Sequence, residues 1–468
     1  MASPPKQLDR SLVEGPIANA VWHIAWPTMI QNILAGLQGV VDHALVGNFV
    51  GFTANAAIGV SWQIFLVVMV FVSSLFTGMG VLAARFAGRG DQQQVNLVVY
   101  QAFLTAMALS VLVLAPIGYV VAPSLLTIVH ATDAVKHEAL PFLRIMFTCS
   151  FGMLVFFMLG GAMRSAGDAR TPLRMGGAIM VLNIVFNVIL IRGLGPVPAL
   201  GTAGAATGTA LANALVAAYA TRQLFRGAWV VSFKGLPSYR PDFEVIRSLF
   251  RFGLPAGFQG IAMNVAGVLL LRFIGGLERS AEAQAAWAVS YVELFSFITW
   301  TSLGLMGAAA SVAGQNLGAG QPDRAARAVS VAAGIGLIVA ATIGALFLVI
   351  PRQLLLVFGM TDPAASAIAV QLLGYLAVSG LFITVALSYT GGLQGTGDTR
   401  SPLVISIVSQ IVVPLGYCSI IQLMRPLQPT DIWLAVVLGH AMRGSLSVMR
   451  FRQGKWRHIK VELHGARA

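Results

Sequence analysis

The chain has few charged residues and very little cysteine. Asp, Glu, Lys and Arg make up 10% of its 468 residues, whereas soluble domains carry about 25%. With 57% hydrophobic residues, too few polar groups remain to cover a globular surface in water. The two cysteines, Cys149 and Cys418, fall in apolar runs, which argues against a disulfide framework. This composition is typical of an integral membrane protein.

Several signatures of enzymes and of other targeting classes are missing as well. The sequence has no Walker lysine motif, no nucleophile elbow and no metal-ligand cluster, so we expect neither ATP hydrolysis nor another enzyme activity, and no metal or cofactor. The N-terminal residues are polar and contain prolines, so no signal peptide is expected. A net charge of +13 could indicate nucleic-acid binding. The basic residues instead sit in short connections and the C-terminal tail, as orientation signals do, so we expect a lipid bilayer and no nucleic acid as partner.

Twelve apolar runs predict an all-α protein with twelve transmembrane helices. Each run is bounded by charged residues, glycine or proline, and each approaches the ~20 residues that a helix needs to cross hydrocarbon. The predicted spans are 17–46, 55–84, 95–122, 139–163, 172–191, 201–221, 248–275, 283–312, 325–350, 365–392, 402–424 and 431–449.

The distribution of Lys and Arg predicts the orientation of these spans. Most of the 30 basic residues collect on one side if that side holds both termini and the even-to-odd connections. Those on the opposite side are Lys136, Arg192, Arg279, Arg352 and Arg425. By the positive-inside rule, both termini are cytoplasmic in a multi-pass protein of the inner membrane.

An internal repeat divides the chain into two halves. GDARTPL at 167–173 matches GDTRSPL at 397–403, and AGRGD at 87–91 matches LGAGQ at 317–321 at the same shift of 230 residues. Six helices separate the copies, so both halves enter the membrane in the same direction. This pattern predicts two six-helix bundles related by a pseudo-two-fold axis along the membrane normal, with a central cavity. The predicted segments are an N-terminal segment 1–16, a first bundle 17–221, a cytoplasmic linker 222–247, a second bundle 248–450 and a basic tail 451–468.

These motifs resemble the multidrug and toxic compound extrusion (MATE) family. The resemblance rests on WPTMIQNILAGLQGVVDHALVG in the first helix, on AGQNLGAGQPDRAARA from Ala313, and on the paired GDARTP and GDTRSP loops. It covers about residues 17–450 and is closer to the DNA-damage-inducible-F branch than to the sodium-linked NorM branch. It implies an inner-membrane antiporter, expected to be monomeric, that exports amphipathic, often cationic, drug-like compounds while protons or sodium ions enter.

Asp42 is the strongest candidate for an ion-coupling residue. An acid within a membrane span is a functional hypothesis by default, because a charge there is costly. Burial raises the pKa of a carboxyl group and a hydrogen-bond donor lowers it, so a carboxyl group in a solvated cavity can change protonation as access changes. Gln31, Gln38 and Asp42 share one helical face. The alternative is an aspartate at the helix end, since Gly47 follows closely.

Asn183 and Asn187 form an i, i+4 pair in the fifth span, and we place them opposite Asp42. The family resemblance implies the same grouping, with an aspartate on the first helix and polar residues on the fifth as the cation-coupling site. The family often has an acid at the position of Asn187, so this chain lacks one proton-binding group of a relay of two carboxylates. Hydrogen bonding between helices is the alternative role of both asparagines.

Proline and glycine positions suggest hinges. Pro27 lies inside the first span, where proline removes a backbone hydrogen bond and bends a helix. The two repeated loops combine a glycine turn, a charge pair and a proline helix start. We interpret Gly167, Pro172, Gly397 and Pro402 as gate hinges, with Asp168 and Asp398 as candidate helix caps.

Aromatic and methionine side chains could line a forgiving substrate cavity, because soft residues repack around different ligands. The candidates are Trp62, Met69, Met153, Phe156, Tyr291, Phe295 and Met306. Glu293, the other acid in a span, could balance a cationic drug or pair with Arg272. Ordinary helix packing or lipid contact is the alternative for each aromatic or methionine residue.

Two other functions fit parts of the pattern. A flippase for lipid-linked oligosaccharides would share the two-bundle plan and would need a cationic cavity, for which Arg144 and Arg272 are candidates. A membrane scaffold or receptor would explain the hydrophobicity but not the repeated halves with matched loops. The sequence therefore favours a secondary multidrug antiporter that works by a rocker switch.

Overall fold

A computed structural model describes residues 8–194, 196 and 198–461, and this part of the chain folds into helices without a strand. Parts of the predicted segments 1–16 and 451–468 lie outside the described residues. The long helices are α1 (Ile17–Phe49), α2 (Phe52–Arg89), α3 (Gln92–Ile128), α4 (Asp133–Thr148 and Phe151–Ser165), α5 (Arg170–Arg192), α6 (Gly201–Arg226), α7 (Phe243–Gly275), α8 (Ser280–Gly318), α9 (Pro322–Val349), α10 (Pro363–Gly395), α11 (Arg400–Met424) and α12 (Pro429–Arg452). Shorter helices cover Ser11–Glu14, Pro351–Val357 and Lys455–His458. The predicted all-α fold of twelve long helices is confirmed.

Most of these helices are apolar enough to cross a bilayer. Within the described residues, nine pass a test of length and hydropathy, and α4 is a tenth if its two parts, bent by 53°, form one span. The helices that fall short, α1 and α6, are rich in polar or small residues. These two helices also line the cavity described below. Polar side chains in a membrane helix face the protein interior, so the lower hydropathy of α1 and α6 fits their position.

The contacts divide the described chain into two compact units. The first unit contains Ile30–Leu254, and the second contains Arg10–Met29 and Pro255–Val461. The units therefore differ from the predicted halves 17–221 and 248–450, because α1 and α7 are each split between them. The splits lie next to Pro27 and Pro255, where the missing backbone N–H weakens the helix.

The repeated loops have the same local structure at the starts of α5 and α11. Gly167 and Gly397 adopt φ values of 97° and 99°, which a residue with a side chain rarely tolerates. Asp168 accepts hydrogen bonds from the backbone N–H and the hydroxyl of Thr171, at 2.9 and 2.5 Å. Asp398 accepts the matching pair from Ser401, at 3.2 and 2.8 Å. Both aspartates thus cap the following helix.

The charge partner of Asp398 lies outside its own loop. The Arg450 guanidinium from α12 approaches the Asp398 carboxylate to 2.8 Å. The repeated motif predicts a charge pair within the loop. The Asp398 carboxylate instead lies beside the end of α12, where Arg450 also donates from Nε, at 3.0 Å.

Candidate functional site

A cavity of about 380 Å³ lies within the first unit. This volume falls in the range of small-molecule sites, roughly 300–1,000 Å³. Side chains of α1, α2, α4, α5 and α6 form its wall. The lining residues are Gln31, Leu34, Ala35, Gly36, Gln38, Gly39, Asp42, His43, Trp62, Leu66, Met153, Phe156, Phe157, Gly176, Ile179, Thr209 and Asn213. The wall is therefore mostly apolar and aromatic, with a few polar groups.

Asp42 is the one carboxylate among the described residues of this wall. Its side chain is 3% exposed, and its Oδ1 accepts a hydrogen bond of 2.7 Å from Asn187 Nδ2. Asn187 Nδ2 also donates to Asn183 Oδ1, at 3.3 Å, and Asn183 Nδ2 donates to the Thr209 hydroxyl, at 2.9 Å. The structure thus joins Asp42 to both predicted asparagines in one buried network.

Close packing of α5 against α6 makes this network possible. A Cβ atom at Gly208 would lie 2.1 Å from Asn187 Oδ1, so only glycine leaves room for the amide. One turn earlier, a Cβ at Gly204 would lie 2.5 Å from the Leu190 carbonyl oxygen. Small residues let membrane helices approach this closely. Gly208 thus helps to hold Asn187 against Asp42.

Gln31 and Gln38 line the same cavity as Asp42, as the shared helical face predicts. Gln31 Oε1 is buried and has no hydrogen-bond partner in the described structure. Asn187 Oδ1 is also buried and has no hydrogen-bond partner in the described structure. Buried acceptors of this kind are costly unless a donor or a cation binds them. The Gln31 oxygen belongs to a residue of the cavity wall and is available to a ligand, whereas the Asn187 oxygen packs against Gly208 of α6.

Three further polar residues belong to this region and were not predicted. Thr209 and Asn213 line the cavity one turn apart on α6, and His43 Nδ1 lies 2.6 Å from Asn55 Oδ1. The i, i+4 spacing of Thr209 and Asn213 in an otherwise Gly- and Ala-rich helix is a signal that could have found them.

The substrate-cavity predictions divide between the two units. Trp62, Met153 and Phe156 line the cavity. Met69 does not: it is 1% exposed and lies two turns beyond Trp62 on α2, past the lining residue Leu66. Its role in binding substrate stays a prediction.

Tyr291 and Glu293 lie in the second unit and not in this cavity. Tyr291 stacks between Trp287 and Phe295, with ring centroids 4.0 and 5.4 Å away. Among the described residues, no ion pair joins Glu293 to Arg272. The Glu293 carbonyl oxygen accepts a hydrogen bond from the Ser296 hydroxyl. Met306, also in the second unit, packs beside an apolar core.

The predicted hinges occupy distinct backbone positions. Pro27 lies inside the continuous helix α1, and Pro172 and Pro402 lie in the first turns of α5 and α11. Gly167 and Gly397 form the left-handed turns before those helices. These positions can change backbone direction with little steric cost. Their role as gates stays a prediction.

No Lys or Arg side chain is found among the described residues of the cavity wall. Arg144 donates from Nε to the Tyr119 carbonyl oxygen at 3.3 Å and lies 4.3 Å above the Tyr119 ring. Arg272 is exposed on α7. A search of the described residues also finds no group of three or more His, Cys, Asp or Glu placed to bind a metal. The described wall thus contains one carboxylate, that of Asp42, and no Lys or Arg.

Comparisons with known proteins agree with this architecture. The probable multidrug resistance protein NorM of Thermotoga maritima is 25% identical over 92% of each chain. The corresponding NorM of Deinococcus radiodurans is 27% identical over 92% of this chain and 94% of its own. A solved structure described as an outward-facing multidrug resistance MATE family transporter of the MOP superfamily has a TM-score of 0.88 at 20% identity, covering 98% of this chain and 100% of its own.

The family itself follows from a direct match. The MatE family model matches residues 27–189 and 255–418, once in each half of the chain. The double match reproduces the internal repeat, and it identifies a transporter and not an enzyme. The branch within the family, which the sequence suggested to be DNA-damage-inducible-F, stays a prediction. The chain belongs to the MatE family of multi-pass membrane transporters.

Proposed function

We propose that this protein is a secondary antiporter that exports amphipathic, cationic small molecules in exchange for protons. The observation that carries the proposal is the buried carboxylate of Asp42 in a largely apolar cavity of drug-like size. Relatives described as multidrug resistance proteins support the substrate class. We place the protein in the inner membrane with both termini in the cytoplasm, by the positive-inside rule.

Competition for one carboxylate can couple the two fluxes. When Asp42 is ionised, it attracts a cation into the cavity, where Trp62 and Phe156 offer aromatic faces. When Asp42 is protonated, that attraction is lost and the substrate leaves. Each ligand shifts the conformational equilibrium only through its different affinity for the two states. Proton and drug therefore need to bind in alternation and not together.

The first helix can transmit this exchange. Asp42, Gln38 and Gln31 lie on α1 beyond Pro27, and the compact units divide this helix just after the proline. A change in the charge of Asp42 alters the forces on this part of α1. Because Pro27 removes a backbone hydrogen bond, the helix can bend there at low cost. We propose Pro27 as the hinge of the switch.

Sodium is a second candidate for the coupling ion, on a specific observation. The carboxylate of Asp42 belongs to the cavity wall, and hard cations prefer carboxylate oxygen ligands. The flippase alternative is not favoured. It needs cationic groups for phosphate, and the described cavity wall contains no Lys or Arg.

Transport by the purified protein in liposomes tests the proposal. Ethidium movement would be recorded under an imposed proton gradient, under an imposed sodium gradient, and with neither, while a pH-sensitive dye reports proton flux. We expect ethidium to move only under the proton gradient, in the direction opposite to the proton flux. Ethidium movement that requires the sodium gradient and is not accompanied by proton flux would show that sodium, and not the proton, is the coupling ion. Equal movement in all three conditions would contradict antiport.

A further inference from the structure

A basic cavity of about 550 Å³ lies at one end of the second unit. The beginning of α9, the ends of α10 and α12, and the segment after α12 form its wall. The basic residues that line it are Arg327, Arg452, Arg457 and His458. No Asp or Glu lines it among the described residues. In contrast to the cavity at Asp42, this one is therefore suited to an anion.

The segment after α12 is anchored at this cavity. Gly454 turns the chain with a φ of 70°. Trp456 is then 1% exposed, stacks on Phe451 with ring centroids 4.8 Å apart, and donates from Nε1 to the Phe451 carbonyl oxygen at 2.8 Å. The anchor fixes Arg457 and His458 in the cavity wall. An orientation signal acts through its charge alone and needs no such fixed position.

Two of the three arginines have no acidic partner. Arg457 forms an ion pair of 2.9 Å with Asp323 and lies 5.4 Å from the Trp456 ring centroid. Arg327 and Arg452 are exposed and join no ion pair among the described residues. A guanidinium presents parallel N–H donors that match the oxygens of a phosphate group. Arg327 and Arg452 are therefore available to bind one.

Two hydroxyl groups lie deeper in the same cavity. Ser330 follows Arg327 by one turn on α9, and its Oγ lies 3.4 Å from the Tyr389 hydroxyl of α10. Hydroxyl groups can donate to phosphate oxygens and can also accept from a ligand hydroxyl. The cavity thus has arginines toward the helix ends and neutral polar groups one turn further into the helices. This order suits a phospholipid headgroup at the membrane surface.

The exposed face of α9 favours a lipid over a free phosphate. Gly334, Leu337 and Ile338 follow Ser330 at intervals that keep them on one side of the helix, and all three are exposed. A Cβ atom at Gly334 would meet no atom within 4 Å. An acyl chain can therefore lie along this apolar face while its phosphate occupies the cavity.

We infer that the basic cavity binds the phosphate group of an anionic membrane lipid, with Arg327 and Arg452 as the main donors. Basic pockets between membrane helices bind such headgroups on the cytoplasmic side, and the orientation proposed above places the cavity on that side. The inference goes beyond the proposed export function and does not involve Asp42. A lipid that binds only the folded protein also stabilises it.

Native mass spectrometry of the delipidated protein tests this inference. The ligands are phosphatidylglycerol, phosphatidylcholine with the same acyl chains, and glycerol 3-phosphate, which has no chain. The wild type should bind the first phosphatidylglycerol about tenfold more tightly than either of the others. Arg327→Gln with Arg452→Gln should reduce that affinity about tenfold or more, because hydrogen bonds to a charged group are lost. Affinity for phosphatidylcholine should change little.

Lys455→Gln with Lys460→Gln is the matched control. Both lysines are exposed, they belong to the same segment after α12, and neither lines the cavity. This pair removes the same charge as the arginine pair, so it measures the unspecific attraction of an anionic lipid to a basic surface. The control should keep the wild-type preference for phosphatidylglycerol. An equal loss of affinity in both double variants would overturn the inference.

The wild type provides two further decisive outcomes. Equal affinity for phosphatidylglycerol and phosphatidylcholine would overturn the inference. Glycerol 3-phosphate bound as tightly as phosphatidylglycerol would assign the cavity to a free phosphate and would overturn the lipid. If the arginine variant folds poorly, Tyr389→Phe replaces it, because this change removes only a hydroxyl. It should weaken phosphatidylglycerol about threefold, and an unchanged affinity would contradict the site.

The outcome can be separated from that of the proposed function. Lipid binding is measured without an ion gradient, and Asp42→Asn should bind phosphatidylglycerol with wild-type affinity. If the liposome assay shows no antiport while the arginine variant loses its lipid, the proposed function fails and the lipid site stands. If antiport is observed and the wild type shows no lipid preference, the lipid site fails alone.

Discussion

Gly208→Ala is the substitution for which the structure gives the clearest expectation. The added Cβ would lie 2.1 Å from Asn187 Oδ1 and 3.1 Å from the Asn187 backbone nitrogen. A contact this short cannot persist, so either the Asn187 side chain turns away from Asp42 or α6 moves away from α5. Either movement breaks the 2.7 Å hydrogen bond to Asp42.

The magnitude follows from two known effects. Overpacking a tight contact costs typically about 1–3 kcal/mol. A hydrogen bond to a charged group contributes about 1.5–3 kcal/mol. The amide can avoid the clash by giving up this hydrogen bond, so the two costs are not fully additive. We expect the free energy of unfolding to fall by ~2–4 kcal/mol in total. Export should fall together with stability, because Asp42 loses the donor that positions it.

Thermal unfolding of the purified protein and ethidium export from cells would measure both effects. Gly177→Ala is the control, since a Cβ at this position of α5 meets no atom within 4 Å. Alanine there should leave stability unchanged or raise it by about 0.5–1 kcal/mol. Gly208→Ala is therefore expected to lower the unfolding stability, and Gly177→Ala is not. Wild-type stability and export in Gly208→Ala would refute the proposed packing of Asn187 against Asp42.

Three other substitutions probe the hinge, the repeated loop and the cavity. Pro27→Ala restores a backbone donor within α1, so export should fall while the protein still reaches the membrane; wild-type export would rule out the hinge. Asp398→Ala removes both the cap of α11 and the ion pair to Arg450, so it should lower unfolding stability by about 1–3 kcal/mol; an unchanged melting temperature would show that neither contact matters. Gly176→Leu should fill the cavity beside Phe156 and reduce ethidium binding; unaltered affinity would place the drug elsewhere.

The helices and the polar face of α1 could be predicted because they depend on local patterns. Apolar runs give the spans, and the spacing of Gln31, Gln38 and Asp42 gives a common face. Helical spacing does not show how far along its axis a helix meets a cavity, so it could not show that Leu66 lines the cavity of the first unit and that Met69, three residues later, is not among its lining residues. The contact between Asp42 and Asn187 joins residues 145 positions apart, so its distance required the structure.

Residues whose role depends on long-range packing were missed for a related reason. Basic residues near the end of a predicted span resemble the orientation signals of the positive-inside rule, so the sequence did not predict a special role for Arg443 or Arg450. The structure separates them: Arg450 pairs with Asp398 at the end of α12, whereas Arg443 is buried without a partner among the described residues. Only three-dimensional burial distinguishes an orientation signal from a buried charge.

Substrate-dependent proton flux in liposomes containing the Asp42→Asn variant tests the central claim most directly. Asparagine has nearly the same shape as aspartate but cannot release a proton at neutral pH. Addition of ethidium should drive proton counterflow through the wild type and none through Asp42→Asn, with similar thermal unfolding of both proteins. Proton counterflow of wild-type size through Asp42→Asn would contradict the account.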